Sequence, residues 1–416
     1  MVCSDEVKFS FLRVCVKFFW VVWIATIALP SYAQTYTILY SFTGKADGSD
    51  PTSPLLRNSA GDLFGTTAQG GQWGAGVLFK FSSSGKETVL ASFSNAPVSG
   101  TPPTGQIARD STGNFYGTTQ LGGSSASGSL YTVNKTGGET VLFSFHQYVG
   151  QLPVGGVTID SAGNVYGTTG SGGSTSTDTC SCGVVFEFTS GGTYKVLHRF
   201  KGGLDGKYPA SGLLRDSLGN LYGATAQGGG CALSSLGCGT VFKVSATGVE
   251  KILHRFAGGT DGLGPGDLIR DSNGNFYGTT AEGGTGTTCT YGCGTVFRMD
   301  ASGNVTILHS FQGGPDDGTL PSGPLVRDAD GNLYGVTALG GSSSKTCSAL
   351  NFGYGCGTVF KLEPSGNETI LHAFAGSPTD GAGPLWGLIR DSSGNLYGVT
   401  QGGGPNDAGT IFKITP

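Results

Sequence analysis

Arg327-Asp328-Ala329-Asp330-Gly331-Asn332-Leu333-Tyr334-Gly335-Val336-Thr337 reads as the end of one short strand, a tight turn and a second strand. Its core recurs along the chain. The Tyr/Phe-Gly landmark falls at Phe64-Gly65, Tyr116-Gly117, Tyr166-Gly167, Tyr222-Gly223, Tyr277-Gly278, Tyr334-Gly335 and Tyr397-Gly398, at spacings of 52, 50, 56, 55, 57 and 63 residues. A period of this size marks a tandem array in which each unit needs its neighbours to bury its apolar side chains. In the sixth unit Gly323-Pro324-Leu325-Val326-Arg327-Asp328 forms the first strand and residues 332–337 the second. A Gly/Ser/Cys-rich loop then leads to Gly357-Thr358-Val359-Phe360-Lys361-Leu362. Pro364-Ser365-Gly366-Asn367 turns the chain into Glu368-Thr369-Ile370-Leu371-His372-Ala373-Phe374. Four short strands rich in β-branched and aromatic residues, parted by turn residues, predict an antiparallel meander. No segment carries a 3.6-residue apolar period of helical length.

Seven four-stranded units predict an all-β fold, a seven-bladed β-propeller. A ring of blades buries both faces of each sheet, and propellers hold about 4–8 of them. The termini fix the closure. The seventh repeat supplies three strands, at residues 386–391, 395–401 and 409–414. The missing fourth is found at the other end of the chain: Tyr36-Thr37-Ile38-Leu39-Tyr40-Ser41-Phe42 matches residues 368–374 position for position. Residues 35–42 are therefore expected to complete the last blade and remove the free edges of a linear array.

The unit Arg-Asp-Ser-x-Gly-Asn-Leu-Tyr-Gly-x-Thr, x-Gly-Gly, Gly-Thr-Val-Phe-Lys and Thr-Ile-Leu-His-x-Phe resembles the GloVer-type tandem repeat, over essentially all of residues 35–416. That repeat defines a group of exported bacterial proteins whose members differ in their C-terminal anchors. The resemblance implies export and carries no activity. More distantly the unit is similar to NHL-type blades, in which an Asp-x-x-Gly-Asn turn joins the inner strands.

Residues 1–33 read as a secretory signal peptide. Lys8, Arg13 and Lys17 precede an apolar run over 18–29, Pro30 breaks it, and Ser31-Tyr32-Ala33 has the small-x-small pattern of a cleavage site. Twelve apolar residues fall short of the roughly 20 needed to span a bilayer. The expected domains are thus the signal at 1–33 and one propeller at 34–416. The product is expected outside the cytoplasm, periplasmic, extracellular or loosely held at the surface, as a monomer with no membrane insertion after cleavage. The full chain has a formal charge of −4; without Lys8, Arg13, Lys17, Asp5 and Glu6 it is −5. So weakly acidic a surface argues against nucleic acid as a partner.

Eight cysteines follow the leader, paired within single loops between second and third strands: Cys231/Cys238, Cys289/Cys293, Cys347/Cys356 and Cys180/Cys182. An even number of cysteines in an exported chain reads as local disulfides. With one intervening residue, the geometry of Cys180/Cys182 is tight, and whether these two bridge remains open. A zinc site would need four ligands to converge, so no metal and no cofactor is expected. His198, His254, His309 and His372 share a repeat position that Tyr40, Ala91 and Phe143 also occupy, which makes it a packing position. Asp47, Asp205, Asp261, Asp317 and Asp380 each precede Gly and read as loop turns. Asp110, Asp160, Asp216, Asp271, Asp328 and Asp391, with Asn58 in the first repeat, open tight Asx turns.

No catalytic motif is visible, and the primary expectation is a non-enzymatic protein that binds a glycan or another protein. Turns from first to second and from third to fourth strands share one face and are short and uniform, whereas the connections on the opposite face vary widely, and binding residues gather on loops held by a rigid scaffold. Trp73, Tyr291, Phe352, Tyr354 and Trp386 are the aromatic candidates. The alternative site is a ring of arginines at the end of the innermost strands, Arg57, Arg109, Arg215, Arg270, Arg327 and Arg390, interrupted by Ile159. Guanidiniums there suit a carboxylate or phosphate at a channel mouth, or a neighbouring blade's turn. A lyase or hydrolase working in the central channel and a purely structural envelope protein are the competing functions.

Overall fold

Gly335 and Phe360 face one another across adjacent antiparallel strands. A Cβ on Gly335 would lie 2.5 Å from the Phe360 ring, so only glycine lets that ring cross the sheet. The same contact joins Gly223 to Phe242 and Gly398 to Phe412. The recurring Tyr-Gly dipeptide therefore marks where the second strand of each unit receives the aromatic side chain of the third.

The computed structural model describes residues 34–94, 100–341, 347 and 355–415. Sheet after sheet is built from four antiparallel strands in sequence order. The sixth blade runs Gly318–Arg327, Leu333–Gly340, Thr358–Leu362 and Glu368–Ala373. In the seventh, Ile389–Arg390, Leu396–Thr400 and Thr410–Thr415 are joined by Thr35–Ser41. That first strand pairs antiparallel with the last, Tyr36 opposite Ile414 and Ile38 opposite Phe412. The result is a seven-bladed propeller closed by its N-terminal strand. Innermost strands are shorter in places than the sequence suggests. In the seventh blade only residues 389–390 form a ladder with the second strand, and Gly381–Ala382 makes a separate pair with Gly402–Gly403. Among the described residues the helical elements are two 3₁₀ turns, Gly203–Asp205 and Gly259–Asp261. No helix there is long and apolar enough to cross a membrane.

One aromatic contact holds every seam. The Phe that follows each outermost strand packs on the third-strand ring of the next blade: Phe93 on Tyr131, Phe145 on Phe186, Phe200 on Phe242, Phe256 on Phe297, Phe311 on Phe360 and Phe374 on Phe412. Phe42 on Phe79 closes the circle. Centroid distances are 4.9–5.2 Å. All these rings are essentially inaccessible to solvent. Burying each contributes about 1.5–3 kcal/mol, and an edge-on aromatic pair adds about 0.5–1.5 kcal/mol. Each core cluster accordingly draws from two blades, as Tyr166, Val185 and Phe200 of the third do with Leu213, Phe242 and Val244 of the fourth.

Candidate functional site

The two faces of the ring differ in how their side chains are used. On the face of short turns the Asx aspartates accept a fixed set of bonds. Asp216 Oδ1 takes the N–H groups of Leu218 at 3.0 Å and Asn220 at 2.8 Å. Its Oδ2 takes the Asn220 amide at 2.8 Å and the Tyr222 hydroxyl at 3.0 Å. Burial opposes ionisation of Asp216, but these bonds outweigh it and hold the carboxyl below its ordinary range.

Each arginine of the interrupted ring lies over the second-strand aromatic residue of the preceding blade. Arg215 sits 5.3 Å from the Tyr166 ring, Arg270 5.2 Å from Tyr222, Arg327 5.5 Å from Tyr277, and Arg390 5.9 Å from Tyr334. Arg109 sits over Phe64 at 5.4 Å and Arg57 over Tyr397 at 5.9 Å. Arg215 also approaches Asp160 of the preceding blade at 3.6 Å. A guanidinium on an aromatic face contributes about 0.5–1 kcal/mol where exposed and more when desolvated. Where Ile159 replaces Arg, Tyr116 joins an apolar cluster with it.

An axial cavity of about 350 Å³ is lined by innermost strands of six blades. One repeat position is occupied by Pro54, Gln106, Gly156, Gly212, Asp267, Pro324 and Gly387, of which Gln106, Gly156, Gly212, Asp267 and Pro324 line the cavity, so Gln106 and Asp267 are the polar departures. Asp267 accepts the Gly212 N–H at 2.6 Å, and burial raises its carboxyl above the usual range. Its signal was present in the sequence as an acid at a position otherwise Gly, Pro or Gln. Arg109 also borders this cavity, while Arg57 borders another of about 400 Å³ at the closure seam, beside Lys413 and Tyr397.

The loop face carries the disulfides and most of the exposed apolar side chains. All four cysteine pairs are bonded within their own loops, Cys231 to Cys238, Cys289 to Cys293, Cys347 to Cys356 and also Cys180 to Cys182, with Cα separations of 5.2 to 5.6 Å. The second cysteine of each pair also belongs to the core. Cys238, Cys293 and Cys356 are completely buried, and Cys182 nearly so. Each stands immediately before the glycine that leads into the third strand, as in Cys356-Gly357, and so turns its sulfur into the core. Cys356 packs with Cys347, Val359 and Phe374 in the cluster shared by blades six and seven. The Cys347–Cys356 bridge therefore ties its loop to that core and offers a ligand no contact.

A cavity of about 380 Å³ opens beside Cys289 of the Cys289–Cys293 bridge, lined by Glu282, Thr288, Thr290, Tyr291, Thr319 and Leu320 among others. Tyr291 is 62% exposed, and burial raises the Glu282 carboxyl. Trp73 is 57% exposed on the first blade, away from this cavity. Trp386 is half-buried against the cluster joining blades seven and one, and its Nε1 is shielded without a hydrogen bond. Phe352 and Tyr354 lie outside the described residues.

The structure also joins two sets that the sequence reading kept apart. Each histidine of the outermost strands faces the aspartate of the following Asp-Gly. His254 Nε2 lies 3.2 Å from Asp261 and His372 3.0 Å from Asp380, both as hydrogen bonds. His198 lies 3.4 Å from Asp205 and His309 3.9 Å from Asp317. The constant separation of seven or eight residues was the signal. In the closing strand Tyr40 takes the place of His and donates to Asp47 at 2.8 Å. So these aspartates are more than turn formers, and the histidines are more than packing.

The Gloeobacter/Verrucomicrobia repeat matches residues 26–181, 176–347 and 232–416. Among solved structures, the extracellular domain of a proposed hybrid two-component system from B. thetaiotaomicron superposes with a TM-score of 0.55. It shares 13% identity over 92% of this chain and 41% of that one. An extracellular domain of a proposed one-component system from the same organism gives 0.55 at 14%, over 92% and 42%. This chain thus spans less than half the length of either. At such identities the likeness is one of fold. Among curated proteins no sequence matches this one.

Proposed function

The chain belongs to the Gloeobacter/Verrucomicrobia repeat family, and we propose that this member is an exported, non-catalytic propeller that binds an extracellular glycan through its loop face. The observation that carries this reading is the cavity of about 380 Å³ at Tyr291. An exposed aromatic ring gives a sugar an apolar platform, and Glu282, Thr288, Thr290 and Thr319 offer acceptors and donors around it. The neighbouring Cys289–Cys293 bridge limits the loop entropy lost on binding. Export is supported by the disulfides and by the extracellular setting of the two structural neighbours.

A protein partner is the second reading, favoured by apolar side chains elsewhere on the same face. Leu204, Leu233 and Leu236 are each more than half exposed around the Cys231–Cys238 loop and the connection into the fourth blade. Catalysis in the channel has less support: Asp267 has no second acid beside it among the described lining residues, and paired acid-base work needs a convergent group.

The test is a screen of purified protein against polysaccharides and peptidoglycan fragments, followed by titration of variants. Tyr291→Ala is expected to weaken a bound glycan at least tenfold, about 1.4 kcal/mol. Asp267→Asn is expected to leave it unchanged. Loss of binding in Asp267→Asn with none in Tyr291→Ala would move the site to the axis. Binding retained in both variants but lost in Leu233→Ser would transfer it to the apolar patch.

A further inference from the structure

Four seams between blades bring a His–Asp pair against one repeat position at the start of the next outermost strand, and the residue there differs. It is Glu250 beside His198 and Asp205, Val305 at the His254–Asp261 seam, Glu368 near His309 and Asp317, and Tyr36 stacked on His372 at 3.6 Å. The hydrogen bonding divides along the same line. Where Val or Tyr stands, the imidazole bonds its aspartate. Where Glu stands, His198 Nε2, His309 Nε2, Glu250 Oε1 and Glu368 Oε1 are all shielded from solvent and make no hydrogen bond. Polar atoms buried without a hydrogen bond carry a desolvation cost, which an aspartate at 3.4 Å from His198 or 3.9 Å from His309 offsets only in part. Two such costs recurring together at one repeat position call for a shared partner.

At the seam between the third and fourth blades the three groups converge. One ligand atom each from His198, Asp205 and Glu250 lies within 4.8 Å of the others. We propose that His198, Asp205 and Glu250 bind a divalent transition metal, zinc by preference, and that the metal clips the outer edges of these two blades together. One imidazole and two carboxylates, with water as the fourth ligand, form a mixed nitrogen and oxygen set that suits Zn²⁺ better than Ca²⁺ or Mg²⁺, which prefer oxygen alone. The ligands sit on firm supports. His198 belongs to the strand Tyr194–Arg199, Glu250 opens the strand Glu250–Arg255, and Asp205 ends a 3₁₀ turn. The Lys201 N–H donates to Asp205 Oδ2 at 2.7 Å and orients the carboxylate. The seam of His309, Asp317 and Glu368 repeats the arrangement in a looser form, with 3.9 Å between imidazole and aspartate. At the closure seam Glu87 also leaves Oε1 unbonded, but Tyr40 stands in place of the imidazole, and that seam lacks the nitrogen ligand.

The experiment is a zinc titration of untagged, metal-stripped protein with its disulfides intact, read by competition with a chromophoric chelator and by thermal midpoint. One tight equivalent of Zn²⁺ is expected, together with a rise in midpoint that neither Ca²⁺ nor Mg²⁺ reproduces. Glu250→Gln and His198→Gln should each weaken that site at least tenfold and remove the thermal response. His254→Gln and Glu368→Gln should leave it in place. No stoichiometric zinc on the parent protein overturns the proposal. So does a tight site that survives both Glu250→Gln and His198→Gln, or a midpoint raised equally by Mg²⁺.

Discussion

The short-turn face and the loop face are made by the same repeats under different constraints. On the first, an Asx aspartate must satisfy the backbone of its own turn and, except at Tyr116 where Ile159 replaces the arginine, hold the tyrosine on which the next blade's arginine rests, as Asp216, Tyr222 and Arg270 do. A change there disturbs a turn and a seam together. On the loop face the connection between second and third strands hangs from the buried Thr225–Thr240 hydroxyl pair, 2.9 Å apart, and beyond that pair and the buried Cys238 beside it, its length varies from blade to blade. One face is held by repetition, and the other is free to specialise. That freedom is why exposed Tyr291, Trp73 and Leu233 all lie on loops of the second kind.

The comparison breaks most completely if the ring opens. Deleting residues 35–42 removes the strand paired with Thr410–Thr415 and the Phe42–Phe79 seam. An exposed strand edge and an uncovered core face should give aggregation or a large fall in melting temperature. A monomeric deletion variant that melts like the parent would refute closure by this strand.

Next in size is a change confined to the short-turn face. Asp216→Ala leaves two backbone N–H groups, the Asn220 amide and the Tyr222 hydroxyl without their acceptor, at a cost of about 1–3 kcal/mol in denaturant unfolding. Because the folded carboxyl is held below its unfolded value, its stabilisation is present at neutral pH. It is lost as pH falls through the folded pKa, so parent and variant should converge in acid. By contrast, Tyr291→Ala on the loop face should alter stability by no more than about 0.5 kcal/mol. Equal losses for the two variants would erase the distinction between the faces.

A further effect sharpens it at a seam. Burial, with the charge of Asp47, pushes the Glu87 carboxyl up to about 7. An acid raised on folding binds protons more tightly in the folded state, so stability falls as pH rises from the unfolded pKa near 4.3 towards about 7 and levels off above it. Glu87→Gln should flatten that slope and be the more stable protein at pH 8. An unchanged pH profile would show that Glu87 is solvated at the seam.

The blade count, the strand order and the closing strand were legible because each rests on local pattern. Alternation, turn residues and a glycine opposite an aromatic ring recur within single repeats, and residues 36–42 match 368–374 directly. The pairs Cys231–Cys238, Cys289–Cys293 and Cys347–Cys356 were legible for the same reason, being partners within one loop, although the burial of Cys356 against Phe374 was not, and the Cys180–Cys182 bridge was left open. The variable loop face could be named from the sequence, whereas the cavity on it depends on where Leu320 of the sixth blade meets the Tyr291 loop of the fifth.

What the sequence determined by itself, then, is everything that closes within one repeat or between its copies. Only the tertiary structure decided what meets across a seam: Arg270 over Tyr222, Phe256 on Phe297, and His198 with Asp205 and Glu250. These partners lie in different repeats, and blade inclination sets their approach. A histidine that reads as packing and an aspartate that reads as a turn become a polar pair once the outer strand and its following loop are folded together. Whether that pair is closed or left open to a third ligand depends on one residue of the next blade, which no pattern inside the repeat reveals.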